Sequence, residues 1–344
     1  MRHVLATDGA WDDVVARAVC ADFYYDRGYH LLEQQCGEGR PILFDFNDAD
    51  INIALPLLLR PVSEVSGLED TAWIDATSVR GYVGPLSSVE EPPPGTIAEF
   101  HAALGESLRQ LGVIAVFSRL HPLWNQGPLL QGLGTLRYIG ETVSIDQSRD
   151  PADRSEYREN VIRSLNRAKA LGLRCREDED WERLDDFIRV YTDSMQRVNA
   201  NRIYYFDRSY YLGLRRVFGK RARLLFCLAG DEPAAVGIFI VTRGVVQYHL
   251  GGTAARFLKL SPMSTLFDGA RHIFAGRHEC LHLGGGLGGR ADGLFHFKCG
   301  FSRRRHRCFV WEWILQPAAY AEACSRAVGA CPADGHPFFP LYRA

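Results

Sequence analysis

Three apolar runs separated by tight breaks constrain this chain most: RLLFCLA (223–229), AAVGIFIVTR (234–243) and VVQYHLGG (245–252). Their β-branched and aromatic residues favour extended backbone, and Gly230, Pro233 and Gly244 supply turn chemistry between them. Connections this short cannot make the crossover that a parallel pair needs, so the runs predict an antiparallel meander. Helical patterns stand on either side. Asp153 and Glu156 have capping-box spacing before a stripe of Tyr157, Val161, Leu165, Ala168 and Leu171, and Gly172 ends that helix. A second stripe runs through Trp181, Leu184, Ile188, Tyr191, Met195 and Val198. After the meander, Ser261–Pro262 opens a helix through Leu266, Ala270 and Ile273 that Gly276 stops. CLHLGGG (280–286) and CFVWEWIL (308–315) read as the last strands, with a short helix between them.

The first half is a shorter version of the same order. AWDDVVARAV (10–19) has helical spacing, PILFDF (41–46) and NIALPLLLRPV (52–62) read as strands, and EEPPPG (90–95) is a turn. A helix follows from Ile97 to Leu111, and VIAVFSRL (113–120) is a buried strand. The polar stretch Asp146–Pro151 marks the boundary. The expected division is 1–148 for a first domain, 149–316 for a second, and 317–344 for a C-terminal helix and tail.

Charge follows the same division. Residues 1–150 carry 10 Lys and Arg against 21 Asp and Glu, a net of −11. Residues 151–315 carry 28 against 18, a net of +10. A basic half of this kind fits either a polyanionic partner or simple attraction to the acidic half. Arg60 closes the IALPLLL run well short of the roughly 18 residues a membrane helix needs, so no integral membrane segment is expected. The acidic N-terminus lacks a signal-peptide core. Nine cysteines without a C-x-x-C pair speak against a disulfide framework or zinc site, and suit a reducing cytoplasm. No metal and no bound cofactor are expected.

One segment carries candidate chemistry, LHLGGGLGGRADGLFHFKCGF (281–301). Glycine fills five of the six positions from Gly284 to Gly289. The run formally matches G-x-G-x-x-G, but Arg-Ala-Asp-Gly follows in place of a long helix, and Glu312, at the distance where the acidic residue is needed, falls in a strand. That excludes a dinucleotide site and leaves close backbone approach, to an acceptor or a tRNA terminus, as the reason for glycine. Lys298 is one of only four lysines in a chain with thirty-six arginines. A compact ammonium suits an oxyanion; the competing role is a lysine snorkelling between Phe297 and Phe301.

These segments resemble the Fem-type aminoacyltransferases, which pass an amino acid from aminoacyl-tRNA to an amine. The likeness rests on NVIRSLNRAKALGL (160–173), YTDSMQRVNANRIYYF (191–206), YHLGGT (248–253), LHLGGG (281–286) and LFHFKCGF (294–301), and on DATSVRGYVGP (75–85) in the first half. It implies an α/β (α+β) fold of tandem GNAT-like N-acyltransferase domains, with mixed, mostly antiparallel sheets flanked by helices. The compact form is expected, since no heptad pattern marks a helical arm. The acidic first domain would face the acceptor, and the tail after Pro317 would pack back on it.

The resemblance also implies roles. Lys298, with Phe297 in the F-K-x-x-F motif, would stabilise the tetrahedral intermediate when an amine attacks the aminoacyl ester. From their chemistry alone, Tyr82, Arg119, Tyr204, Tyr205 and Tyr248 are candidate substrate contacts, since aromatics and arginine suit sugars, bases and diphosphates; a core position is the competing role for the aromatics. Arg303, Arg304, Arg305 and Arg307 are candidates for gripping a tRNA backbone, the alternative being a solvated loop. His249 and His296 are possible proton carriers, with a core position as the competing role. The expected partners are aminoacyl-tRNA as co-substrate and an amine-bearing acceptor: a peptidoglycan precursor, a peptide or a small natural product. The protein would be a cytoplasmic monomer or dimer. The rival enzyme is an acyl-CoA-dependent N-acyltransferase acting on an amino sugar or amino acid; RFLKLSPMST (256–265) lacks the glycine pyrophosphate loop that chemistry uses. A non-catalytic tRNA- or glycan-binding protein is the third reading.

Overall fold

The chain begins with β1 (Arg2–Leu5), α1 (Ala10–Arg17), α2 (Arg27–Gln35), β2 (Arg40–Asp48) and β3 (Ile51–Pro61). The computed structural model describes residues 1–276, 278–328 and 338–344. β2 and β3 form a hairpin whose residues are apolar on both faces because both faces are covered. Ile53, Leu55, Leu57 and Leu59 meet Phe100, Leu104 and Leu108 on one side, while Ala54 meets Trp11 and Val14 on the other. Next come β4 (Ile74–Thr77), the two-residue β5 (Leu86–Ser87), α3 (Pro94–Gln110) and β6 (Val113–Arg119). Pro94 starts α3 at a position where its missing N–H costs nothing. β7 (Thr135–Asp146) follows.

Contacts divide the chain into two units, Met1–Ile139 with Arg307–Ala344, and Gly140–His306. The sequence division at 148 and 316 differs from these limits. The long strand β7 contributes residues to both units, so no polar linker marks the transition.

In the second unit, α4 (Glu159–Ala170) leads to β8 (Leu173–Asp178), α5 (Leu184–Arg197) and α6 (Arg208–Phe218). The meander is present as β9 (Ala222–Ala229), β10 (Glu232–Val241) and β11 (Val245–Thr253), antiparallel throughout. Then come α7 (Pro262–Ile273), β12 (Cys280–Gly285) and α8 (Gly293–Lys298). β13 (Arg305–Ile314) pairs with β6, and α9 (Pro317–Val328) packs Tyr320, Ala323 and Cys324 against Val62, Leu68 and Ile114 of the first unit. Part of the expected tail, 329–337, lies outside the described residues.

The two units share one strand plan. The first runs β1-β2-β3-β4-β6-β13 and the second β8-β9-β10-β11-β12-β7. In each, four antiparallel strands are followed by one parallel pair, β4 with β6 or β11 with β12, joined through a helix, α3 or α7. An antiparallel strand completes each sheet. This is the tandem GNAT-like α/β architecture that the sequence implied. Among the described residues no helix is long and apolar enough to cross a membrane.

Three local expectations need correction. Asp153 does not cap a helix: its carboxylate accepts the Ser155 N–H at 2.9 Å in a local turn, and α4 starts after Arg158. Leu171, placed on the apolar stripe, is exposed beyond the end of the helix. The buried face of α5 is Leu184, Phe187, Val190, Tyr191 and Ser194, and Val198 is exposed. The phase is set by β11, where Gly252 brings backbone against the helix; a Cβ there would lie 2.8 Å from Ser194 Cβ and 3.0 Å from Val190 O.

Candidate active site

Lys298 is the last residue of α8, in the second unit, and is only 6% exposed. Its Nζ donates to the Gly285 carbonyl at the end of β12, at 2.7 Å. The ammonium lies 5.9 Å from the centroid of the Tyr248 ring on β11. Phe297 is half-buried and packs on Phe267 and Phe301, with centroids at 5.9 and 5.3 Å. Snorkelling would put the charged head in water, so the buried Nζ rules that role out. Two roles remain for an ammonium so placed: a bridge between α8 and β12, and a donor to a substrate oxygen.

The glycine run is explained by the chain's own backbone, which corrects the expectation of close approach to an acceptor or tRNA end. A Cβ on Gly285 would come within 2.7 Å of Glu141 O, and one on Gly286 would collide with Arg290 O and press on Asp292. Gly284, Gly288 and Gly289 have φ of +76°, +63° and +84°, where other residues are strained. The run therefore folds into a tight turn leading into α8. Asp292, which sequence reasoning passed over, caps that helix: its carboxylate accepts the Phe295 and Leu287 N–H groups, each at 2.9 Å. An aspartate three residues before a short apolar turn was the available signal.

Burial pushes the Lys298 ammonium down from 10.5 to about 8, and the Asp292 charge opposes that shift. Burial also pushes Asp292 upward, but hydrogen bonds from the Phe295, Leu287 and Leu294 N–H groups, with the Lys298 charge, hold it below the usual value. A value near 8 still favours the ammonium form at pH 7. Behind β12 runs a buried polar chain. His282 Nδ1 and Nε2 meet Gln247 Oε1 at 2.6 Å and Thr142 Oγ1 at 2.8 Å, and Ser144 Oγ meets His306 at 2.7 Å. Lone polar residues on apolar strands were the only sequence sign of it.

The other candidates are distributed. Tyr248 packs among Phe239 and Phe267, and burial pushes its phenol well above the usual value. Tyr204 and exposed Tyr205 lie on the turn after α5, where Tyr191 Oη donates to the Tyr204 carbonyl at 3.0 Å. His249 is half-buried, with Nε2 3.4 Å from Tyr210 Oη. His296 is exposed on α8, so a core role does not apply to it. Arg303 is exposed, Arg304 pairs with Asp146 at 3.3 Å, and Arg305 folds back onto Ser302 O at 2.8 Å beside the Phe295 ring. Arg307 belongs to the first unit, with Tyr138 and Phe309 rings 5.2 and 5.0 Å away.

In the first unit, the loop that carries Tyr82 meets the backbone of Arg119. The Arg80–Pro85 loop is held through the backbone at four of its six residues. Tyr29 Oη donates to Arg80 O at 2.8 Å, Val83 N–H to Arg119 O at 2.6 Å, and Gly84 N–H to Tyr25 Oη at 3.0 Å. Gln126 Nε2 donates to Pro85 O at 3.0 Å. The half-exposed Tyr82 ring stands edge-on to Tyr24 and His121, and His121 stacks on Trp124 and bonds the buried Asp22 at 3.0 Å. Asp75, the aspartate of DATSVRGYVGP, is fully buried between Arg60 and Arg343 and ties β3 to the C-terminal residues. It holds structure together.

Comparison with known proteins agrees with this architecture. Residues 155–298, a span ending on Lys298, match the family described as acetyltransferase (GNAT) domain. In sequence, no curated protein matches the chain. Among solved structures, FemX superposes with a TM-score of 0.66 at 12% identity, covering 93% of this chain and 99% of that one. The C-terminal domain of a putative lysylphosphatidylglycerol synthetase from Agrobacterium fabrum gives 0.56 at 15% identity, covering 91% and 97%. L-PGS from Bacillus licheniformis gives 0.56 at 14%, covering 91% and 94%. The chain thus shares its fold with FemX over nearly its whole length, and the Fem-type resemblance holds at the level of fold.

Proposed function

We propose that the chain is an aminoacyltransferase that moves an amino acid from aminoacyl-tRNA to an amine of a peptidoglycan precursor, peptide or natural product. The observation that carries this reading is the buried Lys298 ammonium, held by Gly285 in a fold shared with FemX. In the reaction the amine nitrogen attacks the ester carbonyl, the new C–N bond forms, and the C–O bond to the tRNA ribose breaks. The proton lost from nitrogen ends on the departing ribose hydroxyl. Between these steps the carbonyl oxygen is negative. An ammonium has three donors, and one is spent on Gly285 O, which leaves two for that oxygen. A fixed charge in a site shielded from water is worth on the order of 3 kcal/mol in rate. Little other acid–base help is needed, because the ester is already activated and positioning supplies much of the rest. Tyr82 and Arg119 are proposed to contact the acceptor and exposed Arg303 the tRNA, with no bound cofactor.

The match to an acetyltransferase domain keeps acyl-CoA as the second reading. Against it, α7 begins with Pro262 after left-handed Ser261, so the backbone N–H cradle that would meet a pyrophosphate lacks a donor at its first position. The test is transfer from charged tRNA to a panel of amines, read by mass. Loss of product after RNase treatment supports the proposal; product from acyl-CoA alone replaces it with the second reading.

A further inference from the structure

We propose that Asp292 is the positioning residue that keeps Lys298 aligned and charged. This rests on the role for Lys298 proposed above. One carboxylate joins both ends of the motif. It accepts the Leu287 N–H from the glycine turn and the Phe295 N–H from the first turn of α8, each at 2.9 Å. It also lies directly against Gly286, where a Cβ would press on Oδ1. The neighbouring residue, Gly285, is the one whose carbonyl holds Nζ. Asp292 therefore fixes the turn that presents the acceptor of Lys298 and the helix that carries Lys298.

The remaining titratable groups on the surrounding elements do not supply a counter-charge. Tyr248 of β11 faces the ammonium with its ring, and burial keeps its phenol neutral. On β12, both ring nitrogens of His282 are engaged with Gln247 and Thr142, and burial pushes the Cys280 thiol up to about 12. Cys299 follows Lys298 in the chain and is buried, and His296 of α8 is exposed. Glu141 of β7 approaches the glycine turn through its backbone carbonyl. Asp292 is the carboxylate whose charge supports the protonated form.

A helix cap alone would leave the Lys298 titration unchanged, which separates the two roles. Asparagine keeps one acceptor oxygen for the Phe295 N–H, and removes the charge together with the second oxygen, which accepts the Leu287 N–H. With only four lysines, full-length protein carrying ¹³Cε-lysine gives a simple spectrum, and Lys298→Arg assigns the resonance. In Asp292→Asn the Lys298 midpoint is expected to fall by about one pH unit. The alkaline limb of kcat/KM for charged tRNA should move with it, while melting should fall modestly because the Leu287 N–H loses its acceptor. If Asp292→Asn fails to fold, Asp292→Ser offers the same comparison with a hydroxyl cap. An unmoved midpoint in a folded variant overturns the proposal. A shifted midpoint in a protein without transfer activity upholds the coupling and instead removes the proposed function.

Discussion

Replacing Lys298 by methionine separates two quantities that a buried ammonium ties together, stability and turnover. The side chains are of similar length, so the substitution removes charge and donors with little change in packing. Because the folded value, about 8, lies below the 10.5 of an unperturbed lysine, the unfolded chain binds more protons between those limits. Wild-type stability from this group therefore rises with pH across that window, by about 3 kcal/mol. Below pH 8 the cost of burying the charge is present in full, and methionine relieves it. Against that gain, methionine leaves the Gly285 carbonyl without its partner, at about 1–3 kcal/mol. The variant should match wild type or exceed it by up to about 2 kcal/mol at pH 7. That difference should then swing by about 3 kcal/mol toward wild type by pH 10.5. Urea melts at pH 7, 8.5 and 10 read it directly, with single-turnover transfer measured in parallel. Transfer is expected to fall at least about a hundredfold at pH 7. A pH-independent stability difference would refute the buried-charge argument, and near-wild-type turnover would return Lys298 to a structural bridge.

Gly286→Ala should destabilise by about 1–3 kcal/mol, because its Cβ meets the Arg290 carbonyl and the Asp292 carboxylate; a melt within error of wild type would show the turn to be more open. Arg303→Ala should reduce the salt slope of tRNA affinity by about one, while Arg305→Ala, whose guanidinium is folded onto Ser302 O, should leave that slope alone; equal slopes in both variants would discard this assignment. Tyr82→Ala should raise KM for the acceptor amine about tenfold with the tRNA term unchanged, since the clamped loop around Tyr82 survives its loss. An unchanged acceptor KM counts against an acceptor site on the first unit.

The meander was legible because its signal is local: β-branched runs and turn residues suffice to specify β9, β10 and β11. Lys298 stood out through scarcity and its aromatic neighbours. What sequence could not give was phase and partner. The face that α5 buries depends on Gly252 admitting β11 backbone against Ser194 and Val190, a contact between residues about 60 apart. Asp153 looked like a cap because the spacing was right, yet Ser155 lay closer and took its carboxylate. The arginines at 303–307 read as one run, whereas Asp146, Ser302 and the Tyr138 and Phe309 rings give three of them separate partners.

The glycines and the lysine turn out to be one device. Burying an ammonium is unfavourable, and a lysine placed at random in such a core would be selected against or deprotonated. Here Gly285 offers a carbonyl at 2.7 Å because the turn behind it folds tightly onto Glu141 and Arg290, which only glycine permits. The same turn brings Leu287 N–H to Asp292 and lets that carboxylate cap α8. Gly285 and Gly286 are needed for close backbone approach, Gly284, Gly288 and Gly289 for positive φ, and the turn they make places the polar groups that hold the charge. A bridge between α8 and β12 could use a neutral side chain at far lower cost, and that is the argument for the proposal that Lys298 meets a negative oxygen.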